Sequence, residues 1–401
     1  MDRRRFLQTA SVAALGAPLL WSPLAEARPK PPFPELLLRG SAGAIGRAHG
    51  KALAPQIKDN VGFYLRWLAG ITKRDHASLL RIASGFAAPL AAHAPHILEE
   101  IKGVAAGSGR TLSELLLVNA RTDMLVLARK KAKRRQPKRV QRSRAAPGCT
   151  ALALVGRGRS GPRIALGQNW DWRSDLIGHT AVLRIQRRGA LPLVTFSEAG
   201  MVGKIGMNRR KVGVCLNFLE HRDDANVHSY GLPVHVLLRL VMEQPDLDHA
   251  VRLVERAKRC ASANFLVAEH GARGPRAVDL EWTSQRVAKL WLSQGALVHT
   301  NHYVAGAMRK GCTSQRSHST NNRYKQATAR AVASSKQRDP VVRMQHILAD
   351  RVGAPYSVSK SSVKGSRSQT LAGVVMDLSS NSLRLSSGPP HLNAFKWRPG
   401  A

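Results

Sequence analysis

The sequence predicts an α+β fold in which packed sheets are flanked by helices. Two observations carry that expectation. Helical patterning dominates up to about Arg129, and the texture changes to short β-rich runs from Cys149. Beyond that point a block of strands, a pair of helices and a second block of strands follow one another. That order suits sheets packed on each other better than a doubly wound parallel sheet.

Taken in order, "RPKPPFP" (Arg28–Pro34) is an extended linker by its proline content. Ile57, Val61, Leu65 and Leu68 then recur at helical spacing. Glycines in "IKGVAAGSGR" (Ile101–Arg110) are expected to end a helix. Thr111 with Glu114 forms a capping box that opens "LSELLLVNARTDMLVLAR". The run "RKKAKRRQPKRVQRSR" (Arg129–Arg144) is a solvated tract, because like charges at this density resist compaction. From Cys149, "TALALV", "RIALGQNW", "TAVLRIQR", "LPLVTFS" and "KVGVCLNF" read as strands split by turn residues. Helices are expected around "PVHVLLRLVMEQ" and "LDHAVRLVERAK", then strands at "ANFLVAEH", "RAVDLEW" and "RVAKLWL". Helices over roughly Tyr324–Ser335 and Pro340–Asp350, with two final strands near "GPPHLNAF", complete the chain. No repeat at solenoid spacing is visible.

With 401 residues, 43% of them hydrophobic, the chain can bury a large core. No stretch reaches the roughly 18–20 unbroken apolar residues of a membrane-spanning helix. The N-terminus has the order of an export signal. "RRRFLQ" (Arg3–Gln8) fits the twin-arginine pattern, a weakly apolar stretch follows, and Ala25-Glu26-Ala27 suits cleavage before Arg28. The expected location is the periplasm or beyond, reached by twin-arginine export.

The net charge of +38 favours anionic surfaces, with Arg129–Arg144 as the contact. Basic residues are spread along the chain, and aromatics are not interleaved with them as single-strand binders require. No specific nucleic-acid partner is expected. The four cysteines, at 149, 215, 260 and 312, form neither C-x-x-C pairs nor a disulfide framework. Cys215 and Cys260 read as small buried hydrophobes. His299 and His302 in "HTNH" read as structural, since no carboxylate or Cys cluster accompanies them in sequence. No metal or cofactor is expected.

Cys149 is different. It follows Gly148 directly, just past the basic tract, where a packing cysteine is out of place. If Gly148–Cys149 is a bond the protein cuts in itself, the new N-terminus brings nucleophile and base together. A free α-amine ordinarily titrates at about 7.7–8 and can take the thiol proton without a histidine. The tetrahedral intermediate needs oxyanion donors, and the amine needs a carboxylate to orient it. Asp171 and Asn264 are the candidates. Trp170 and Trp172 read as core packing.

These fragments, in this order, resemble the isopenicillin-N acyltransferase family of N-terminal-nucleophile hydrolases. They are "GAIGRAHG" (Gly43–Gly50), "EEIKGVAAGSG" (Glu99–Gly109), "NARTD" (Asn119–Asp123), "GCT" (Gly148–Thr150) and "GQNWDW" (Gly167–Trp172). "AGMVGKIGMN" (Ala199–Asn208), "NFL" (Asn264–Leu266), "HTNHY" (His299–Tyr303) and "GPP" (Gly388–Pro390) continue the series. The resemblance implies a four-layer αββα sandwich and a precursor cut before its cysteine into two associated chains. The segments would be a signal peptide (1–27), an α chain (28–148) and a β chain (149–401). It also implies roles for Cys149 as nucleophile, Asp171 as supporting carboxylate, Asn264 in the oxyanion hole and Arg323 as a downstream arginine. The substrate would be a small N-acyl amide or peptide. Ala151 stands where the fungal antibiotic-making members carry a hydroxyl, which points away from penicillins. The rival expectations are an amidase resembling bile-salt hydrolases and acid amidases, and a non-catalytic basic binding protein.

Overall fold

The computed structural model describes residues 33–129, 148–158, 161–293, 295–363 and 367–401. The expected signal and all of the basic tract except Arg129 lie outside the described residues.

The first part of the chain runs β1 (Glu35–Gly40), α1 (Ala42–Ala52), α2 (Ala54–Thr72), α3 (His76–Ser84), α4 (Ala87–His93), α5 (Pro95–Ser108), α6 (Leu112–Asn119) and α7 (Arg121–Leu127). The capping box that opens α6 forms as expected, with Thr111 and Glu114 satisfying each other's backbone N–H groups. Strand β1 is an addition to the expected elements. "ELLLRG" lacks β-branched residues and alternation, and its partner lies far along the chain.

Glycines in Ile101–Arg110 do two different jobs. Gly109 takes the left-handed conformation that ends α5. Gly103 and Gly107 stay inside the helix, contrary to expectation, and face Gly46 and Gly50 of α1. A Cβ at Gly46 would overlap the Glu100 carbonyl oxygen, and one at Gly103 would overlap the Gly43 carbonyl oxygen. The two helices therefore touch backbone to backbone. Gly46→Ala or Gly103→Ala is expected to cost about 1–3 kcal/mol of stability through overpacking, read as a lowered Tm in thermal denaturation.

The strand-rich part opens with β2 (Gly148–Gly158), β3 (Gly161–Arg173), β4 (Thr180–Arg187), β5 (Leu193–Glu198), β6 (Ile205–Asn208) and β7 (Val212–Phe218). Helices α8 (Val234–Met242) and α9 (Leu247–Arg256) follow. Next come β8 (Ala263–Gly271), β9 (Gly274–Trp282), β10 (Val287–Trp291) and β11 (Ala296–His299). The chain ends with α10 (Gly306–Arg309), α11 (His318–Ala333), α12 (Pro340–Leu348), β12 (Ser368–Asp377), β13 (Ser382–Ser387) and β14 (Lys396–Pro399). Strands β11 and β14 go beyond the expected set, and α11 starts six residues before the expected Tyr324.

The strands form two sheets. One has eight strands in the order β1-β4-β5-β6-β7-β8-β9-β10, and the other has six in the order β11-β2-β3-β12-β13-β14. The β1–β4 pair is parallel and the other pairs are antiparallel. Strands β2 and β3 pack on β7 and β8, α8 packs on β6 and β7, and α11 and α12 pack on the six-stranded sheet. The result is two sheets face to face with helices outside both, an αββα sandwich.

Strand alternation decides where the chemistry sits. In β2, Cys149, Ala151 and Ala153 join the main core, while Leu152 and Leu154 join a separate core under α11 and α12. Cys149 thus faces the main core, and Thr150 faces the helical side.

Candidate active site

Cys149 lies among the first pairs of the ladder between the two inner strands. Across the β2–β3 ladder Gly148 is opposite Asp171, and Cys149 is opposite Trp170. The bond between Gly148 and Cys149 is therefore held in a regular ladder at the strand's start. Cys149 is buried, at 8% exposure, and lines a cavity of about 250 Å³.

Two side chains grip its backbone. The Cys149 N–H donates to Asn301 Oδ1 at 2.8 Å. Arg323 donates to the Cys149 carbonyl oxygen, to Thr150 Oγ1 at 3.2 Å, and to Asn301 Oδ1 at 2.9 Å. Asn301 Nδ2 donates in turn to the Phe218 carbonyl at 3.0 Å, which ties the six-stranded sheet to β7. Arg323 reaches this point from α11, buried against β2.

Asp171 is fully buried one strand away. Its Oδ1 accepts from Thr370 Oγ1 at 2.6 Å, and Oδ2 has no hydrogen-bond partner. Burial raises its pKa, while the charges of Arg323 and Lys360 and the Thr370 bond oppose the rise. In the uncut chain burial pushes the Cys149 thiol up to about 11. Asp171 adds to this, whereas Lys204 and Arg323 pull against it. The thiol is protonated at neutral pH and needs a base.

The structure thus brings Gly148, Cys149, Asp171 and Arg323 together. No hydrogen bond joins Asn264 to them. The Asn264 amide donates to Asp279 and, at 3.4 Å, to the Leu280 carbonyl, and Asn264 does not line the cavity. Asn301 stands at Cys149 instead. Its signal lies inside "HTNHY", between two histidines that are the more conspicuous residues. Trp170 and Trp172, expected as core, are buried but also line the cavity.

The expectation for His299 rests on the absence of carboxylates, and the fold overturns that premise. Asp279, Glu281 and His299 are all buried, with their ligand-type atoms within 4.8 Å of one another. His299 Nε2 is 2.8 Å from Glu281 Oε1, and Glu281 also accepts the backbone N–H groups of Val304 and Ala305. Burial pushes Asp279 up to about 7, against the pull of His299 and with the repulsion of Glu281. His299 is raised because the two carboxylates outweigh its burial. Each of the three side chains has a partner inside the fold, so the cluster works as an internal strut joining β9, β11 and the following loop. His302 faces elsewhere, towards Thr300 and Thr320.

The cavity wall beside Trp170 and Trp172 carries two cations that are not apparent from the sequence. Glu198 Oε1 accepts from Lys204 Nζ at 2.6 Å and from Arg121 at 3.1 Å, and Glu198 Oε2 accepts from Tyr64. Lys204 Nζ also sits 3.5 Å over the Trp170 ring, and Arg121 lies between the rings of Tyr64 and Trp172. Burial opposes ionisation of Glu198, but the two cations outweigh it and hold the carboxyl at about 2. Burial brings Lys204 down to about 8, against the attraction of Glu198.

Two face-packed sheets between helical layers, with a cysteine at the head of an inner strand and a cavity beside it, define an enzyme of the N-terminal-nucleophile class. Such an enzyme hydrolyses an amide or transfers its acyl group. Residues 157–391 match the model of the family described as acyl-coenzyme A:6-aminopenicillanic acid acyl-transferase. The 40 kDa form of acyl-coenzyme A:6-aminopenicillanic-acid-acyltransferase from Emericella nidulans is 30% identical over 271 residues, covering 66% of this chain and 68% of that one. The chain belongs to the acyl-coenzyme A:6-aminopenicillanic acid acyl-transferase family. Among solved structures, a Caenorhabditis elegans N-acylethanolamine-hydrolyzing acid amidase ortholog is 18% identical with a TM-score of 0.41, covering 57% of this chain and 93% of that one. A mutant conjugated bile acid hydrolase from Clostridium perfringens is 12% identical with a TM-score of 0.41, covering 59% and 89%.

Proposed function

We propose that the protein cuts its own Gly148–Cys149 bond and that the freed Cys149 then hydrolyses an N-acyl amide. The observation that carries this reading is the grip of Asn301 and Arg323 on the two sides of Cys149, beside a cavity. In maturation Sγ adds to the Gly148 carbonyl carbon, the peptide nitrogen leaves as an amine after gaining a proton, and water cleaves the thioester. In turnover the α-amine takes the thiol proton, and Sγ adds to the substrate carbonyl. The leaving amine receives that proton, and water releases the acid from the acyl-enzyme. Asn301 Oδ1, already 2.8 Å from the Cys149 nitrogen, orients the amine. Asp171, opposite Gly148 in the ladder, supplies the balancing charge.

Asp171→Asn is expected to slow both maturation and turnover. Precursor persistence on a denaturing gel and the rate of the residual mature form measure the two effects separately. Intact-mass and N-terminal analysis of the purified wild type tests the reading as a whole. Two chains, one beginning at Cys149, are expected together with acid release from a panel of N-acyl amino acids and N-acyl amines. A single uncut chain with no hydrolysis would remove the assignment.

Hydrolysis is favoured over transfer because the N-terminal twin-arginine pattern directs the chain away from cytoplasmic acyl-coenzyme A. Export of the folded chain by that route is part of the proposal. Changing both Arg3 and Arg4 to Lys should leave the protein in the cytoplasm in a fractionation experiment. Wild-type distribution in that variant would end the export reading.

A further inference from the structure

The cavity beside Cys149 has an unusual charge inventory. Its wall presents Arg121 and Lys204, both buried, and the carboxylate that balances them is Glu198 alone. Both oxygens of Glu198 are engaged, Oε1 by the two cations and Oε2 by Tyr64. Arg121 Nε is buried without a hydrogen-bond partner. A buried guanidinium with an unused donor is costly to keep. The aromatic rings on either side hold it in place but supply no acceptor. Elsewhere on the wall Arg129 pairs with Glu220, and Arg323 is held by the Cys149 carbonyl and Asn301, so the cluster of Arg121, Lys204 and Glu198 is the part left one negative charge short.

The place of this excess relative to the nucleophile is set by the sheet. Cys149 and Trp170 face each other in register, and the Lys204 ammonium lies on the Trp170 ring. The cation is thus about one side chain away from the thiol. Trp67, Ile71 and Leu125 of the helical layer, with Leu216 and Phe218 of β7, give the cavity an apolar portion, while Asn301, Thr320 and Arg323 line its polar side. A ligand that fits has an apolar acyl chain and an anionic group close to the scissile amide.

We propose that Arg121 and Lys204 form a carboxylate subsite, so that the substrates are N-acyl α-amino acids whose carboxylate sits on the leaving amine. In such molecules the carboxylate carbon is two bonds from the amide nitrogen, which suits a cation seated on the ring of Trp170, the ladder partner of Cys149. The substrate carboxylate supplies the missing charge, and the guanidinium gains an acceptor. This rests on the amidase reading above and names its substrate class. The competing role for the pair, stabilising the thiolate or the oxyanion alone, predicts no discrimination between charged and neutral ligands of one shape.

The test is calorimetric titration of the full-length Cys149→Ala chain with N-octanoylglycine and with N-octanoylglycinamide. The two ligands differ in charge and hardly in shape, and this comparison needs no change in the subsite itself. The acid is expected to bind at least tenfold more tightly, since an unpaired buried charge is left when the carboxylate is absent. Adding Lys204→Met should bring the two affinities within about twofold. Arg121 still balances Glu198 in that variant, and its Tm reports whether the fold is kept. Equal affinities in the Cys149→Ala chain, tighter binding of the amide, or no binding of either ligand overturns the subsite. The amidase reading is judged separately, by octanoate release from both ligands by the matured wild type. Release without discrimination leaves the amidase and removes the subsite, whereas discrimination in binding without release does the reverse.

Discussion

Cys149→Ala is expected to remain a single uncut chain with no measurable turnover. The effect is large because one atom is used twice. Without Sγ there is no nucleophile for the Gly148 carbonyl, so the α-amine that serves as base is never released. Acylation of the mature site is lost with it. The fold should survive, since the change removes one sulfur from a site that already opens on a cavity. Circular dichroism and Tm close to the wild type, with one band at full length and no acid release, are the expected readings. A fragment that still begins at residue 149 would show that another protease makes the cut. Cys149→Ser separates the two uses, because its weaker nucleophile should slow cleavage and turnover without abolishing the geometry.

The way this site is legible in sequence follows from how its parts are connected. Cys149 and Asp171 belong to one hairpin, and a hairpin's register can be read from two neighbouring runs and the turn between them. Arg323 rests in sequence on a loose match alone, and its bonds to Cys149 and Asn301 emerge only in the folded chain. Asn301 is beyond the reach of local pattern. It follows β11, which pairs with β2 from more than a hundred residues away, His299 lying opposite Ala151. Nothing local announces that pairing. The same reasoning covers β1, whose partner β4 begins at Thr180, and the strut of Asp279, Glu281 and His299. Lys204 is hidden in another manner. It stands in "GKIG", where a lysine reads as a turn residue, and only the fold shows it buried on Trp170. Lone charges next to an apolar strand are the pattern to search for, since a buried lysine needs a partner.

Asn301→Ala in the matured enzyme should lower kcat/KM by about 10²–10³, the usual loss for one preorganised polar group at an acyl-transfer centre. Its Oδ1 is hydrogen-bonded to both the Cys149 nitrogen and Arg323, so truncation frees the amine and loosens the guanidinium together. Asn264→Ala makes the informative contrast. Its amide holds Asp279 rather than Cys149, so the expected result is a lower Tm with kcat/KM within a few-fold of the wild type. The two variants must be compared after maturation, because Asn301 also grips the bond to be cut and its loss will slow the cut. Producing the 149–401 chain with an exposed N-terminal cysteine together with the 28–148 chain avoids that difficulty, provided the pair assembles with a cooperative unfolding transition. If the rates fall in the opposite order, with Asn264→Ala the damaging change, the oxyanion role expected for Asn264 stands and Asn301 is a structural clamp rather than the group that orients the amine. If both fall by two orders of magnitude, the two amides act on opposite sides of one intermediate, and the double variant should then lose less than the product of the single effects.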